Sequence, residues 1–142
     1  MSTNARIGIE LKDGSILSAY HHWDGYPQWL GKTLKEHYTT REAVAELIDG
    51  GDMSCCWTKD RWTGKQVAPY VNENKEVAEY GPQYYSQRGE RDIEPILNSN
   101  LIEYLEEDSV GWIEYVYVFN QFNEWICYDL AGDTATLTEI PA

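Results

Sequence analysis

The stretch Tyr20-His21-His22-Trp23-Asp24-Gly25-Tyr26-Pro27-Gln28-Trp29-Leu30-Gly31 decides the fold class. Leu17, Ala19, His21 and Trp23 fall on alternate positions, the period of a strand with one buried side. Asp24-Gly25 is a turn signal, and Pro27 suits the first turn of a helix. The segment therefore reads as strand end, tight turn and helix start. Such junctions let a fold display polar groups without burying loose backbone. The mixture of Tyr, Trp, His and Asp is richer than a plain core strand needs, because aromatic rings combine flat apolar area with directional polar tips.

Upstream, Ile7, Ile9 and Leu11 share one face of a first strand. Lys12-Asp13-Gly14-Ser15 turns the chain, with Asp-Gly predicting a type I′ hairpin, and residues 16–23 return as the second strand. Downstream, Pro27 to Tyr38 reads as a helix in which Leu30 and Leu34 stack at i, i+4. Thr39-Thr40-Arg41-Glu42 matches a capping box with Thr39 as the cap. A second helix then runs to about Ile48 with Val44, Leu47 and Ile48 inward, and Gly50-Gly51 ends it.

Beyond Asp52 the periodicity weakens. Met53 to Trp57 and Pro82 to Arg88 read as short strands, Lys59 to Lys65 as a polar loop, and Val71 to Gly81, which has no period, as a functional loop or a disordered insertion. From Glu90 to Asp108 there are seven acids and one base, Arg91. Leu101, Ile102 and Leu105 have helical spacing, so Asn100 to Glu107 is expected as a helix whose acidic end opposes its dipole. The strongest β signal is Val110 to Phe119. Ile113, Tyr115, Tyr117 and Phe119 point one way, and Trp112, Glu114, Val116 and Val118 the other. Gln121-Phe122-Asn123 turns into a partner strand, Glu124 to Leu130, and Ala135 to Glu139 adds an edge. The expected architecture is α+β: an antiparallel sheet of about five to six strands, with two or three short helices packed on one face. Residues 1–142 read as a single domain.

Charge narrows the function classes. The net charge of −13, from 24 acids and 11 bases, argues against an ordinary basic binder of nucleic-acid backbone. It is read either as solubility by self-repulsion or as mimicry of nucleic-acid charge. No run approaches the roughly 18 apolar residues of a membrane span. The first residues lack a signal-peptide core, so the expected location is the cytoplasm. Cys55, Cys56 and Cys127 are odd in number and form no Cys-x-x-Cys pair, so they read as reduced and buried, with no metal and no cofactor expected.

Three segments together resemble a family of small uncharacterised bacteriophage proteins. They are His22-Trp23-Asp24-Gly25-Tyr26-Pro27 with Glu36-His37-Tyr38, Tyr85-Ser86-Gln87-Arg88-Gly89-Glu90, and Glu114 to Phe119 followed by Trp125. The resemblance implies phage origin, the host cytoplasm, and an accessory role facing the host. It supplies no reaction and no ligand.

The candidate site residues are His22, Trp23, Asp24, Tyr26, Tyr85, Arg88 and Glu90. Adjacent His21 and His22 point to opposite strand faces, so they cannot share a metal without a break in the strand. If His22 and Asp24 meet Arg88 or Glu90, a small polar cleft results, with Arg suited to a phosphate or carboxylate. The structural alternative buries Trp23 between the sheet and the first helix and uses Asp24 as a helix cap. No nucleophile elbow, phosphate loop or zinc signature occurs. The leading expectation is thus a non-enzymatic phage accessory protein that binds a host protein or host-defence component. One alternative is a nucleotide-binding or nucleotide-sequestering module that stacks a base on Trp23, Tyr26 and Tyr85. Another is an acidic DNA mimic using the stretch 90–108. The enzymatic alternative is a hydrolase built on His22 and Asp24.

Overall fold

A computed structural model describes residues 3–57, 82–88, 94–109, 112–131 and 134–141. The chain begins with β1 (Ala5–Glu10) and β2 (Ile16–His21), then passes through a π-helical turn, Pro27–Gly31, into α1 (Lys32–His37) and α2 (Arg41–Asp49). There follow β3 (Met53–Cys55), β4 (Gln83–Tyr84), a 3-10 turn at Tyr85–Arg88, and β5 (Ile96–Asn98). Helix α3 (Leu101–Ser109) precedes the strands β6 (Tyr115–Phe119), β7 (Trp125–Asp129) and β8 (Thr136–Thr138). The loops expected within 59–81 lie outside the described residues.

The fold is α+β, as expected, but the sheet differs from the expectation in two ways. Among the described residues it has eight strands, in the order β4-β3-β2-β1-β6-β7-β8, with β5 pairing onto β2. It is also mixed, because β1 runs parallel to β6 and β2 parallel to β3. The parallel pair β2 and β3 requires a crossover, and the helical pair α1–α2 makes it. The strand without a counterpart in the sequence reading is β5, whose three residues are too few to carry an alternating pattern, while β4 keeps two residues of the strand expected at Pro82 to Arg88.

Alternation nevertheless sorts the strands onto two faces. Ala5, Ile7 and Ile9 pair in register with Tyr115, Tyr117 and Phe119, and all six lie on or against the larger core with Leu30, Leu34, Val44, Leu47 and Ile48. The reverse face carries Ile16, Val116 and Val118, packed with Tyr104 and Leu130. Thus α1 and α2 cover one face and α3 the other, which corrects the expectation of helices on one face only. Gly8 makes room for α3: a Cβ there would lie 2.8 Å from Ile16 Cγ2 and 3.2 Å from Tyr104 Oη.

Local signals were read within a residue or so. The β1–β2 connection has a positive φ only at Gly14 (+88°), and Leu11 N–H donates to Ser15 O at 2.8 Å. This is a three-residue loop with glycine in the left-handed position rather than the expected type I′ pair. The cap of α2 is Thr40 instead of Thr39, its hydroxyl accepting from Ala43 N–H at 3.1 Å. Arg41, the next residue, clamps α2 to the far end of the sheet. Its guanidinium donates to Glu10 O and, at 3.1 Å, to Asn120 O, and sits 5.9 Å from the Phe119 ring centroid.

Candidate functional site

The aromatic turn leaves the sheet at the end of β2. His21 N–H pairing gives way to parallel bonds onto β3, with His22 N–H donating to Met53 O at 3.2 Å and Trp23 N–H to Ser54 O at 2.9 Å. Asp24 then takes φ +50°, a left-handed conformation that Asp tolerates better than most residues. Gly25 follows because there is no room for a side chain: a Cβ would stand 2.7 Å from Thr3 O and 2.7 Å from Ala5 Cβ. Gly25 N–H donates to Thr3 O at 2.8 Å, and Tyr117 Oη donates to Gly25 O at 2.7 Å. The turn is thereby tied to β3, to the lead-in of β1 and to the middle of β6.

Histidines 21 and 22 point to opposite faces, as expected. His21 is fully buried, accepts from Cys56 N–H at Nε2 (3.1 Å) and packs on Trp57 with ring centroids 5.2 Å apart. Burial, and then the adjacent His22, pull its pKa down to about 3, so it is neutral and structural. His22 lies on the other face, where its Nδ1 is 2.7 Å from Tyr20 Oη. Burial, with smaller contributions from Tyr85 and Asp52, pushes the Tyr20 phenol up to about 12. The phenol therefore keeps its proton at neutral pH while it shares a hydrogen bond with Nδ1 of His22.

Trp23 overturns the expectation that it is buried. It is 47% exposed and stands edge-on to His22, with centroids 4.7 Å apart at 85°. The buried tryptophan at this end of the sheet is Trp57, which occupies the space over His21. The N-cap position of the π-helical turn is held by Tyr26, which makes no side-chain capping bond. Tyr26 is half-buried against Trp29, centroids 6.3 Å apart.

The structure brings Tyr85 to this end of the sheet, where its N–H donates to Asp52 O at 3.1 Å. Arg88 closes the same 3-10 turn. Glu90 lies outside the described residues, and so does the expected convergence of charge around it. Two members were not singled out from sequence. Tyr20 shares a strand face with His22, a signal that two-residue spacing does carry. Asp52 accepts from Tyr20 N–H at 3.0 Å, and half-burial raises its pKa. Nothing local in the sequence marks it, since it joins the group through the β2–β3 pairing. Among the described residues, no group of three or more His, Cys, Asp or Glu could hold a metal ion. Nor, among the described residues, is any helix long and apolar enough to cross a membrane.

The arrangement is an ordered aromatic edge: Tyr20 holds His22, His22 meets Trp23, and the backbone beneath is bonded on three sides. Such an edge can stack or pack against a partner with little ordering cost. No protein-family model, curated protein or solved structure matches the chain.

Proposed function

We propose that this chain is a bacteriophage accessory protein that acts without catalysis, by binding a host protein or host-defence component through the aromatic turn. The observation that carries the reading is the exposure of Trp23 on a pinned backbone. Tryptophan is enriched among residues that dominate interface energies, and a side chain held before binding loses less entropy on contact. The left-handed Asp24 adds to this, because backbone kept in sparsely populated conformations clusters at functional sites. The phage-family resemblance supplies the host-facing context.

The test is affinity capture from host lysate with wild-type protein and Trp23→Ala, together with phage plating. A specific partner captured by wild type and lost by Trp23→Ala, with melting little changed, supports the reading. No specific partner and no effect on host growth or plating overturns it.

A second reading, nucleotide binding or sequestration, is favoured by the proximity of Tyr20, Trp23 and Tyr85 at one end of the sheet. A net charge of −13 opposes it by repelling anionic ligands at long range. Thermal-shift screening with mono-, di- and cyclic nucleotides decides it, since no shift at millimolar ligand removes the reading. DNA mimicry has less support: the carboxylates of α3 share that helix with Ile102, which is 68% exposed, and duplex backbone presents no such apolar group.

A further inference from the structure

Three kinds of contact hold α3 on the sheet. Tyr104 is fully buried over Ile16, Val116 and Val118, with Leu101 and Leu105 half-buried beside it, and its hydroxyl donates to Tyr117 O at 3.3 Å. The amide of Asn98 in β5 donates to Glu103 and Glu107, which ties the helix to the strand just before it. Asp108, four residues after Tyr104 and so on the same side of the helix, is buried against Arg6 of β1. Ile102, Glu106 and Glu107 face outward and are exposed. A helix of nine residues has little stability of its own, so these contacts decide whether it forms.

The third contact is incomplete. Asp108 Oδ1 is 3.8 Å from Arg6 Nε, and Arg6 is already committed to β2: Nε donates to Ser18 Oγ at 2.8 Å and Nη2 to Ser18 O at 2.9 Å. The other carboxyl oxygen, Oδ2, is buried and has no hydrogen-bond partner. A buried carboxylate is costly unless it is both paired and hydrogen-bonded, and a neutral carboxyl costs much less. The helix adds to that cost, because Glu106, Glu107 and Asp108 are consecutive near its C-terminal end, where the dipole disfavours negative charge. Burial, opposed by Arg6 and aided by Glu107, raises the Asp108 carboxyl to about 7. Asp52 lies beyond Arg6 and draws on the same guanidinium. Tyr104, whose phenol burial pushes well above its ordinary value, stays neutral. Ser18 of β2 and Asn98 of β5 do not titrate.

We propose that Asp108 is a proton-operated latch on α3: with its carboxyl protonated the helix lies docked, and with the carboxyl ionised the helix lifts and frays, uncovering Ile16, Val116 and Val118 while the rest of the sheet stays folded. Strands β1, β2 and β6 keep their ladder without α3, because they pair with one another and pack on α1 and α2 through the opposite face. Lifting returns the carboxyl to water and to its ordinary value of 3.8. Between that value and about 7 the docked form therefore holds a proton that the lifted form has released. The docking equilibrium falls about tenfold per pH unit across this window and levels off above it. The latch lies on the reverse face of the sheet and is independent of the function proposed above for the aromatic turn.

The test is native-state amide exchange of the full chain between pH 5 and 8, with and without low urea, comparing wild type and Asp108→Asn. Protection factors are read, since they divide out the intrinsic pH dependence of exchange. In wild type, the amides from Tyr104 to Asp108 should show less protection and a smaller urea dependence than those of β1 and β6, the mark of a local opening. Their protection should fall about tenfold per unit from pH 5 to 7 and level off by pH 8. Asp108→Asn keeps the shape without the charge, so its α3 protection should stay nearly constant. The ratio of variant to wild-type protection should thus grow about a hundredfold from pH 5 to 8. Any dependence from His22 and His37 is common to both proteins and cancels. If Asp108→Asn fails to fold, the wild-type profile is paired instead with the carbon-13 shift of the Asp108 carboxyl, which should titrate near pH 7. The proposal is overturned by α3 amides that exchange only together with β1 and β6, by protection that does not fall between pH 5 and 7, by a variant that follows the wild-type profile, or by an Asp108 carboxyl that titrates near its ordinary value.

Discussion

The hydroxyl of Tyr117 donates to the carbonyl oxygen of Gly25 across 2.7 Å, joining the centre of β6 to the aromatic turn. Tyr117 is fully buried, so its phenol can satisfy that carbonyl without competition from water. Tyr117→Phe keeps the ring and removes the donor. The expected cost is about 1–3 kcal/mol, the range for leaving a buried acceptor unpaired. Urea melts should show a lower midpoint with an unchanged m value.

Trp23 and Trp57 should respond oppositely to truncation. Trp57 is 3% exposed, and Trp57→Ala should cost roughly 3–5 kcal/mol, as for a buried aromatic. Trp23, at 47% exposure, should lose about 1 kcal/mol or less on change to Ala. Denaturant melts of both variants check this. Equal large losses would return Trp23 to a core role and remove the basis of the proposed recognition edge.

His21 makes stability depend on pH. Its native pKa of about 3 lies below the ordinary 6.5. As pH falls below 6.5 the unfolded chain takes up a proton that the native protein refuses until about pH 3. Its contribution is therefore complete above pH 6.5 and is lost on acidification through that window. Between pH 6.5 and 5 the loss should reach about 2 kcal/mol. His21→Gln should be less stable than wild type at neutral pH but show a flatter slope over the same interval in urea melts.

Asp108 acts with the opposite sign. Burial outweighs the Arg6 guanidinium, 3.8 Å away, and with Glu107 nearby raises the carboxyl from 3.8 to about 7. The native state holds this proton across pH 4 to 7 while the unfolded state releases it. The contribution is thus present at low pH and lost as pH rises through 7. Asp108→Asn should be more stable relative to wild type at pH 8 than at pH 5, as read from urea midpoints at each pH. The reverse order would mean that the ion pair with Arg6 outweighs desolvation.

Much of the fold was legible because alternation and capping are local. Ile7 and Ile9, Tyr115 and Phe119, and Leu30 and Leu34 declare their faces through spacing alone, and each joins or packs on the larger core. The opposed directions of His21 and His22 follow from the same rule. What was missed depends on contacts between distant segments. The parallel register of Ala5 with Tyr115 spans the chain, and β5 acquires strand character only from its pairing with β2. Tyr20 and Asp52 meet through the β2–β3 pairing.

By itself, the sequence determined an α+β chain of marked acidity, with a strand-turn-helix junction rich in aromatic residues and a base-free C-terminal part. These are properties of composition and short-range period. Only the tertiary structure decided which tryptophan fills the core. Local alternation assigns Trp23 and His21 to one side, but the bond from Trp23 to Ser54 and the left-handed turn at Asp24 redirect the chain before a helix can cover it. Trp57 arrives from the far end of the crossover and takes that volume instead. Burial is a competition among all segments for one interior, and no single segment's pattern records the outcome.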